Sequence, residues 1–364
     1  MHITQLRLSS FRNLTAVNIL PHANLNFVYG DNGAGKSSLL EAIHVLGFGR
    51  SFRTNKPDLF IQNDQTQAAG FCLFDWQGDE TRLGFSRSKQ DGYTFSVNGD
   101  KTKRISDMAR MLPVQIFTPQ SSDLILGAPL GRRRYIDWLL FHVEHSFHYL
   151  SSRYQSCLSQ RNALLKQFDF KESAKFSEQD VWLEQLADLG NSITTLRQDY
   201  ISRLNDEISA LYGQFYPELN VVLRYTRGWD KNCTLLESLQ NKIDRDLFKG
   251  STSSGPHKAD MQFIVDGKNA ADFMSRGQLR LLVSVLLLAE VKLLKELTAK
   301  PSVFLIDDIA AELDEDTREK FIASVMEQNT QVFVTAIQKE QLSFMQHYNN
   351  KKVFHVEHNH VTEE

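Results

Sequence analysis

Gly30-Asp31-Asn32-Gly33-Ala34-Gly35-Lys36-Ser37 fits the pattern GxxxxGK[ST], and its flanks decide how it is read. Before it, LNFVY (25–29) is a short β-favouring run; after it, SSLLEAIHVLGFG (37–49) is apolar at helical spacing. A strand, a glycine loop and a helix in that order make a phosphate cradle. The glycines let the backbone curl so that N–H groups point inward, and the helix adds its positive end. Lys36 is then the cation for the β- and γ-phosphates, and the Ser37 hydroxyl is a ligand for Mg²⁺. Gly30 to Ser37, together with Ser38, are the expected nucleotide contacts, with ATP and Mg²⁺ as cofactors.

A second apolar strand, SVFLI (302–306), ends in Asp307-Asp308. Such a strand end places Asp307 to reach the metal and Asp308 to orient or deprotonate an attacking water. Seen alone, two acids after a strand are often merely a solvated strand end, in roughly one case in three. Beside a phosphate loop they read as the other half of a nucleotide site. The two halves lie far apart in the chain, so the chain must leave the nucleotide core and return with both motifs side by side.

Ser275-Arg276-Gly277-Gln278 directly precedes the apolar helix LRLLVSVLLLAEVKLL (279–294). It resembles the signature of ABC-type ATPases, in which Ser and Gly at a helix N-terminus hold a γ-phosphate; an N-cap serine is the plain alternative. Ala311-Glu312-Leu313-Asp314 is similar to the D-loop of those ATPases. Gln120 stands where they keep a glutamine near metal and γ-phosphate, and alone it reads as any loop amide. The resemblance implies that the loop of one subunit faces Ser275, Gly277 and Gln278 of another, hence a head-to-tail homodimer with two ATPs at its seam.

The chain of 364 residues is 41% hydrophobic, enough for one large or two medium domains, and its net charge is −3. Bulk charge therefore does not favour nucleic acid, and any DNA contact must be local. Three scattered cysteines form no CxxC pair, the start lacks an apolar leader, and no apolar run suits a membrane. A cytoplasmic protein is expected. Strands are expected over residues 1–30 and 66–118, with turns at Gln77-Gly78, Asp91-Gly92 and Asn98-Gly99. From about 130 to 218 apolar residues recur at helical spacing, Trp182 to Leu211 most regularly. Two readings stay open there: a short antiparallel helical arm, or ordinary helices on a globular core. The expected architecture is α/β: an ATPase head over 1–130 and 255–364 with a β-rich subdomain, and a helical lobe over 131–254.

More specific is the set Leu6-Arg7-Leu8-Ser9-Ser10-Phe11-Arg12-Asn13-Leu14, Leu39-Leu40-Glu41-Ala42-Ile43, Gly49-Arg50-Ser51-Phe52-Arg53, Gly131-Arg132-Arg133-Arg134-Tyr135-Ile136-Asp137, Gly255-Pro256-His257-Lys258-Ala259-Asp260 and Leu305 to Asp314. Nearly end to end, this set is similar to the RecF family of bacterial recombination mediators. That resemblance implies an ATP-dependent clamp on duplex or gapped DNA. It further implies a weak DNA-stimulated ATPase acting with RecO and RecR to load RecA, in replication, repair and SOS induction. Candidate DNA contacts are Arg50, Arg53, Lys56, Lys101, Lys103, Arg104 and Arg132-Arg133-Arg134, with solvated surface the competing reading. Arg12 is taken as a nucleotide contact, and Arg53 is open to the same role. Arg276 departs from the usual signature; a γ-phosphate contact and a solvent-facing position both remain open, with solvent favoured. Asp308 is one methylene shorter than the usual glutamate, and Thr335-Ala336-Ile337 holds no histidine where transporter ATPases carry one, so slow hydrolysis is expected. Two alternatives stand beside this reading: the ATP-binding subunit of a transporter, and a scaffold that binds ATP without cleaving it.

Overall fold

The computed structural model describes residues 1–102, 104–168 and 173–364, with the backbone alone at 174, 178 and 343–345. Lys103, expected as a DNA contact, and residues 169–172 lie outside the described residues. Contacts divide the chain into two units, Met1–Ser121 with Arg276–Glu364, and Ser122–Ser275. The strands are β1 (His2–Phe11), β2 (Leu14–Ile19), β3 (Leu25–Tyr29), β4 (Gln67–Trp76), β5 (Asp79–Ser88), β6 (Gly92–Val97), β7 (Asp100–Thr102), β8 (Val114–Phe117), β9 (Val221–Thr226), β10 (Asp260–Val265), β11 (Lys268–Asn269), β12 (Val303–Ile306), β13 (Gln331–Ala336), β14 (Lys351–Glu357) and β15 (His360–Glu363).

The first unit holds two six-stranded sheets. One is an antiparallel meander, β2-β1-β4-β5-β6-β7, whose tight turns fall where glycine pairs predicted them. Gln77 and Gly78, like Asn98 and Gly99, all have positive φ, which two-residue hairpins of this twist require. The other runs β15-β14-β3-β13-β12-β8, parallel except for β15. Side chains of both sheets and of the helix Lys36–Phe48 share one buried cluster. That helix is enclosed over most of its length, which is why it carries so little polar face.

The topology refines one expectation. β3, which feeds the glycine loop, and β12, which carries the acids, are not neighbours, because β13 lies between them. β14 and β15 have no counterpart in the sequence reading. Their residues are mostly polar, and only Phe354 and Val356 are buried.

In the second unit, Cys157 meets Gln185 at 3.1 Å and the Tyr154 ring lies against Gly190, so helices Phe147–Leu165 and Leu183–Tyr212 run antiparallel. Both also pack against the helix Pro129–Val143, and Leu183–Tyr212 packs against β9 and the helix Leu235–Asn241 as well, so they belong to a lobe. The boundaries expected at 130/131 and 254/255 fall instead at 121/122 and 275/276. β10 pairs with β9 over six registered residues, and Arg132 binds the carbonyls of Ile125 and Gly127, which draws both flanking segments into this unit.

The lobe is fastened by a fully buried guanidinium. Arg161 donates to Asp180 at 2.7 Å, Asp246 at 2.7 Å and Thr252 at 2.8 Å, tying its helix to the loop at Asp180, to the helix Ile243–Lys249 and to the segment just after that helix. Removing the cation strands two carboxylates away from water. Arg161→Met is therefore expected to cost about 3–5 kcal/mol of local stability. Hydrogen exchange along Phe147–Leu165 reads it directly; protection equal to wild type would refute the fastening role.

Candidate functional site

The turn between β1 and β2 is two residues long, Arg12-Asn13, because Phe11 pairs with Leu14. Arg12 takes φ 59°, a left-handed conformation that costs a non-glycine residue roughly 1 kcal/mol or more. The turn puts Asn13 against the glycine loop. Its amide donates to the carbonyls of Gly33 and Ala34, each at 2.9 Å, while its oxygen accepts from the Ser38 hydroxyl at 2.9 Å. Gly35, at φ 126°, would set a Cβ only 2.7 Å from Leu14, and Gly30, at φ 151°, one 2.2 Å from the Val356 carbonyl. Both glycines are thus demanded by close packing as well as by the curl of the loop.

Lys36 sits under the loop, donating to the carbonyls of Gly30 at 2.6 Å and Asp31 at 2.9 Å. Ser37, one residue on, donates to Asp307 Oδ1 at 2.9 Å across 270 residues of sequence. The same oxygen accepts from Thr335 at 2.8 Å, and Thr335 accepts from the Asp308 N–H at 2.8 Å. Asp308 holds φ 54° and ψ 55° at the head of a short helical turn, a second strained non-glycine residue at the site. These groups line a cleft of about 690 Å³ with Arg12, Asn13, Asn32, Gly33, Gly35, Ser38, Arg53 and the segment Ile61–Asp64. Gly30, Asp31 and Ala34 face a neighbouring opening on the other side of the loop.

Burial lowers the pKa of Lys36, opposed by Asp308, Asp307 and Asp31. Burial, then the Asp307 charge, raises that of Asp308, with Lys36 acting the other way. The site therefore holds an acid and a base that each gain from a bound charge of opposite sign. Among the described residues no cluster of three or more His, Cys, Asp or Glu side chains suits a metal. The hydroxyl and carboxylate oxygens of Ser37 and Asp307 do fit Mg²⁺, a hard ion that takes one or two protein oxygens and completes its shell with phosphate and water.

Other expected site residues lie elsewhere. Gln120 is exposed on the 3-10 turn Pro119–Ser122 and, among the described residues, does not line the cleft. Ser275 is exposed immediately before the helix Arg276–Thr298, whose first residues, Arg276 and Gly277, are exposed too, with Gln278 half-buried. Exposure of Arg276 in the single chain suits both a solvent-facing side chain and a γ-phosphate contact across a seam. Asp314 caps the helix Glu315–Met326, accepting from Thr317 at 3.0 Å. Arg280 reaches the same loop, pairing with Glu312 at 2.9 Å and donating to the Ala311 carbonyl at 2.9 Å.

Helical rotation splits the triple arginine. Arg132 is buried, with both ends of its fork on Asp260, so it is withdrawn from the DNA candidates. Arg133 is half-buried and donates to the Ala259 carbonyl at 2.7 Å, and Arg134 is exposed. Arg50, Lys56, Lys101 and Arg104 are exposed, and Arg53 joins the phosphate cleft. Asn13 and Thr335 were missed as site residues. A polar residue near the end of the apolar run QVFVTAI was the available signal for Thr335.

A family model for the RecF/RecN/SMC N terminal domain matches residues 2–362. The chain is 47% identical to the DNA replication and repair protein RecF of Pseudoalteromonas atlantica, with 100% of each chain covered. It is 38% identical to that of Shewanella sediminis, over 100% of this chain and 99% of the other. A solved structure of the recombination mediator protein RecF-ATP in the RecFOR pathway matches with a TM-score of 0.86 at 25% identity, covering 100% and 97%. An Smc head bound to the C-winged helix domain of ScpA matches at TM-score 0.58 and 15% identity over 100% and 97%, a likeness of fold alone.

The raised pKa of Asp308 has a sign that can be tested. A carboxyl whose folded pKa lies above its unfolded one binds protons more readily when folded. It therefore costs stability above the folded pKa, and the cost disappears as pH falls through the window between the two values. Asp308→Asn is expected to raise the melting temperature of the nucleotide-free protein at pH 7.5, with the gain shrinking toward pH 4. A variant no more stable than wild type at pH 7.5 would contradict this.

Proposed function

The chain belongs to the RecF family of DNA replication and repair proteins, and on that premise we propose that it is an ATP-dependent DNA-binding recombination mediator that closes as a homodimer. The observation that carries the nucleotide half of this reading is the convergence of Lys36, Ser37, Asp307 and Asp308 at one cleft. The glycine loop binds the phosphates, and Lys36 neutralises the β- and γ-groups. Ser37 and Asp307 would hold Mg²⁺, which would draw charge from the phosphate oxygens. Thr335 fixes both acids, so that the Asp308 carboxylate meets the attacking water and takes its proton.

The exposed Ser275 and Gly277, at a helix N-terminus, suit a γ-phosphate held by the cleft of a second subunit. Two ATPs then act as bridging contacts, and cleavage removes them. Arg50, Lys56 and Arg134 are exposed cations suited to DNA phosphates, and RecO, RecR and indirectly RecA are the partners the family suggests. The chemistry of Asp308 and the lack of a histidine at Thr335-Ala336-Ile337 support slow turnover, stimulated by DNA. Membership of the family sets the transporter reading aside. No helix among the described residues is long and apolar enough to cross a membrane.

Light scattering with duplex DNA, with and without Mg-ATP, tests the clamp. Wild type should double its protein mass on DNA only with Mg-ATP, and Lys36→Met and Ser275→Arg should stay monomeric. A mass indifferent to ATP would discard the composite site. Single-turnover cleavage by Asp308→Asn should fall on the order of 100-fold, as for loss of a general base; equal rates in variant and wild type would leave the non-cleaving scaffold as the better reading.

A further inference from the structure

Glu41 is fully buried on the helix that follows the glycine loop, one turn beyond Ser37, and it is not among the residues lining the cleft. Yet its carboxylate gathers three side chains from two segments. Arg12 donates to it from Nε at 2.9 Å and Nη2 at 2.6 Å, a two-pronged pair that fixes the plane of the guanidinium. Ser51 donates its hydroxyl at 2.5 Å, and Arg53 Nη1 lies at 3.5 Å. The Ser51 hydroxyl in turn accepts the backbone N–H groups of Arg53 at 2.7 Å and Thr54 at 3.0 Å, so the loop after the helix is folded back onto Glu41. Arg12 is braced further by the Leu59 carbonyl at 2.8 Å and by the Phe60 ring. Both arginines line the cleft with Lys36, and Arg53 is 45% exposed.

We propose that Glu41 is a positioning residue that presents Arg12 and Arg53 as a matched pair to the phosphates of the nucleotide. The proposal rests on the reading of the cleft as an ATP site. Arg12 is the rigid member of the pair, since three of its nitrogens are spoken for and its backbone is pinned in a tight turn. Arg53 is the mobile member, held by one long contact and by the Ser51 loop. A guanidinium has five N–H donors, so Arg12 keeps donors for a ligand after satisfying Glu41 and Leu59. Glu41 also offsets one of the two positive charges, which lets both arginines stand together at the cleft without a ligand.

This assignment predicts a sign that charge alone would reverse. Glu41→Gln removes a negative charge near an anionic ligand, and simple Coulomb attraction would tighten ATP binding. Mispositioned arginines weaken it instead.

Titration calorimetry of the full chain with Mg-ATP separates the two. Glu41→Gln should raise Kd about tenfold, a change of 1.4 kcal/mol. In an Arg12→Met/Arg53→Met background the same substitution should change Kd less than about twofold, because the carboxylate acts only through those side chains. Ser51→Ala, which frees the loop but leaves the Arg12 pair, should weaken binding about threefold, and it decides the matter if Glu41→Gln does not fold. Tighter binding by Glu41→Gln, an equal loss in the arginine-free background, or wild-type affinity in Ser51→Ala would each overturn the proposal. Wild type that binds no ATP would instead remove the nucleotide reading beneath it.

Discussion

One carboxylate oxygen organises the first unit. Asp307 Oδ1 accepts from Ser37 on the helix after the glycine loop and from Thr335 near the end of β13, while Asp307 itself directly follows β12. Hydrogen bonds to an ionised acceptor contribute about 1.5–3 kcal/mol each, more than neutral ones. Here they close a gap that the sheet leaves open, because β13 separates β3 from β12. The loop and the acids meet only through side chains that cross the end of β13. Any movement of that strand end is felt by Ser37 and, through the Asp308 N–H, by the second acid.

Much of this was legible in the sequence where a motif carries its own backbone demand. Gly30 to Ser37 could be nothing but a tight loop before a helix, and the apolar run ending in Asp307-Asp308 had to be a buried strand. The glycine hairpins at Gln77-Gly78 and Asn98-Gly99 were fixed by positive φ. What could not be read was any feature set by partners distant in the chain. Arg132, Arg133 and Arg134 look alike in sequence, yet one is paired with Asp260, one is half-buried and one is exposed. β14 and β15 are too polar to declare themselves, and their place beside β3 comes from pairing with the strand. β10 was assigned to the wrong unit for the same reason, because its partner β9 lies some 35 residues upstream.

The candidate site shows where local preference yields to chemistry. Arg12 and Asp308 are both held in left-handed backbone, and neither is glycine. Each such residue costs about 1–3 kcal/mol and persists only where its surroundings over-determine it. For Arg12 those surroundings are Glu41, Leu59 and Phe60; for Asp308 they are Thr335 and the turn to Ala311. In both cases the strained residue carries the charge that faces the cleft.

Strain and desolvation then work in one direction. Lys36 and Asp308 are each held where burial disfavours their charged forms, although each helps the other. A site with this balance is less favourable without a ligand than with one. Phosphates answer the lysine, and a cation held by Ser37 and Asp307 eases the repulsion between the two acids. Binding free energy is thus drawn partly from relief of costs already present in the fold. It follows that the nucleotide should order the ends of β12 and β13 and the tip of the β1–β2 turn together, since the same hydrogen bonds join them. Shared ordering of this kind would link one bound phosphate to three segments through the hydrogen bonds that already join them.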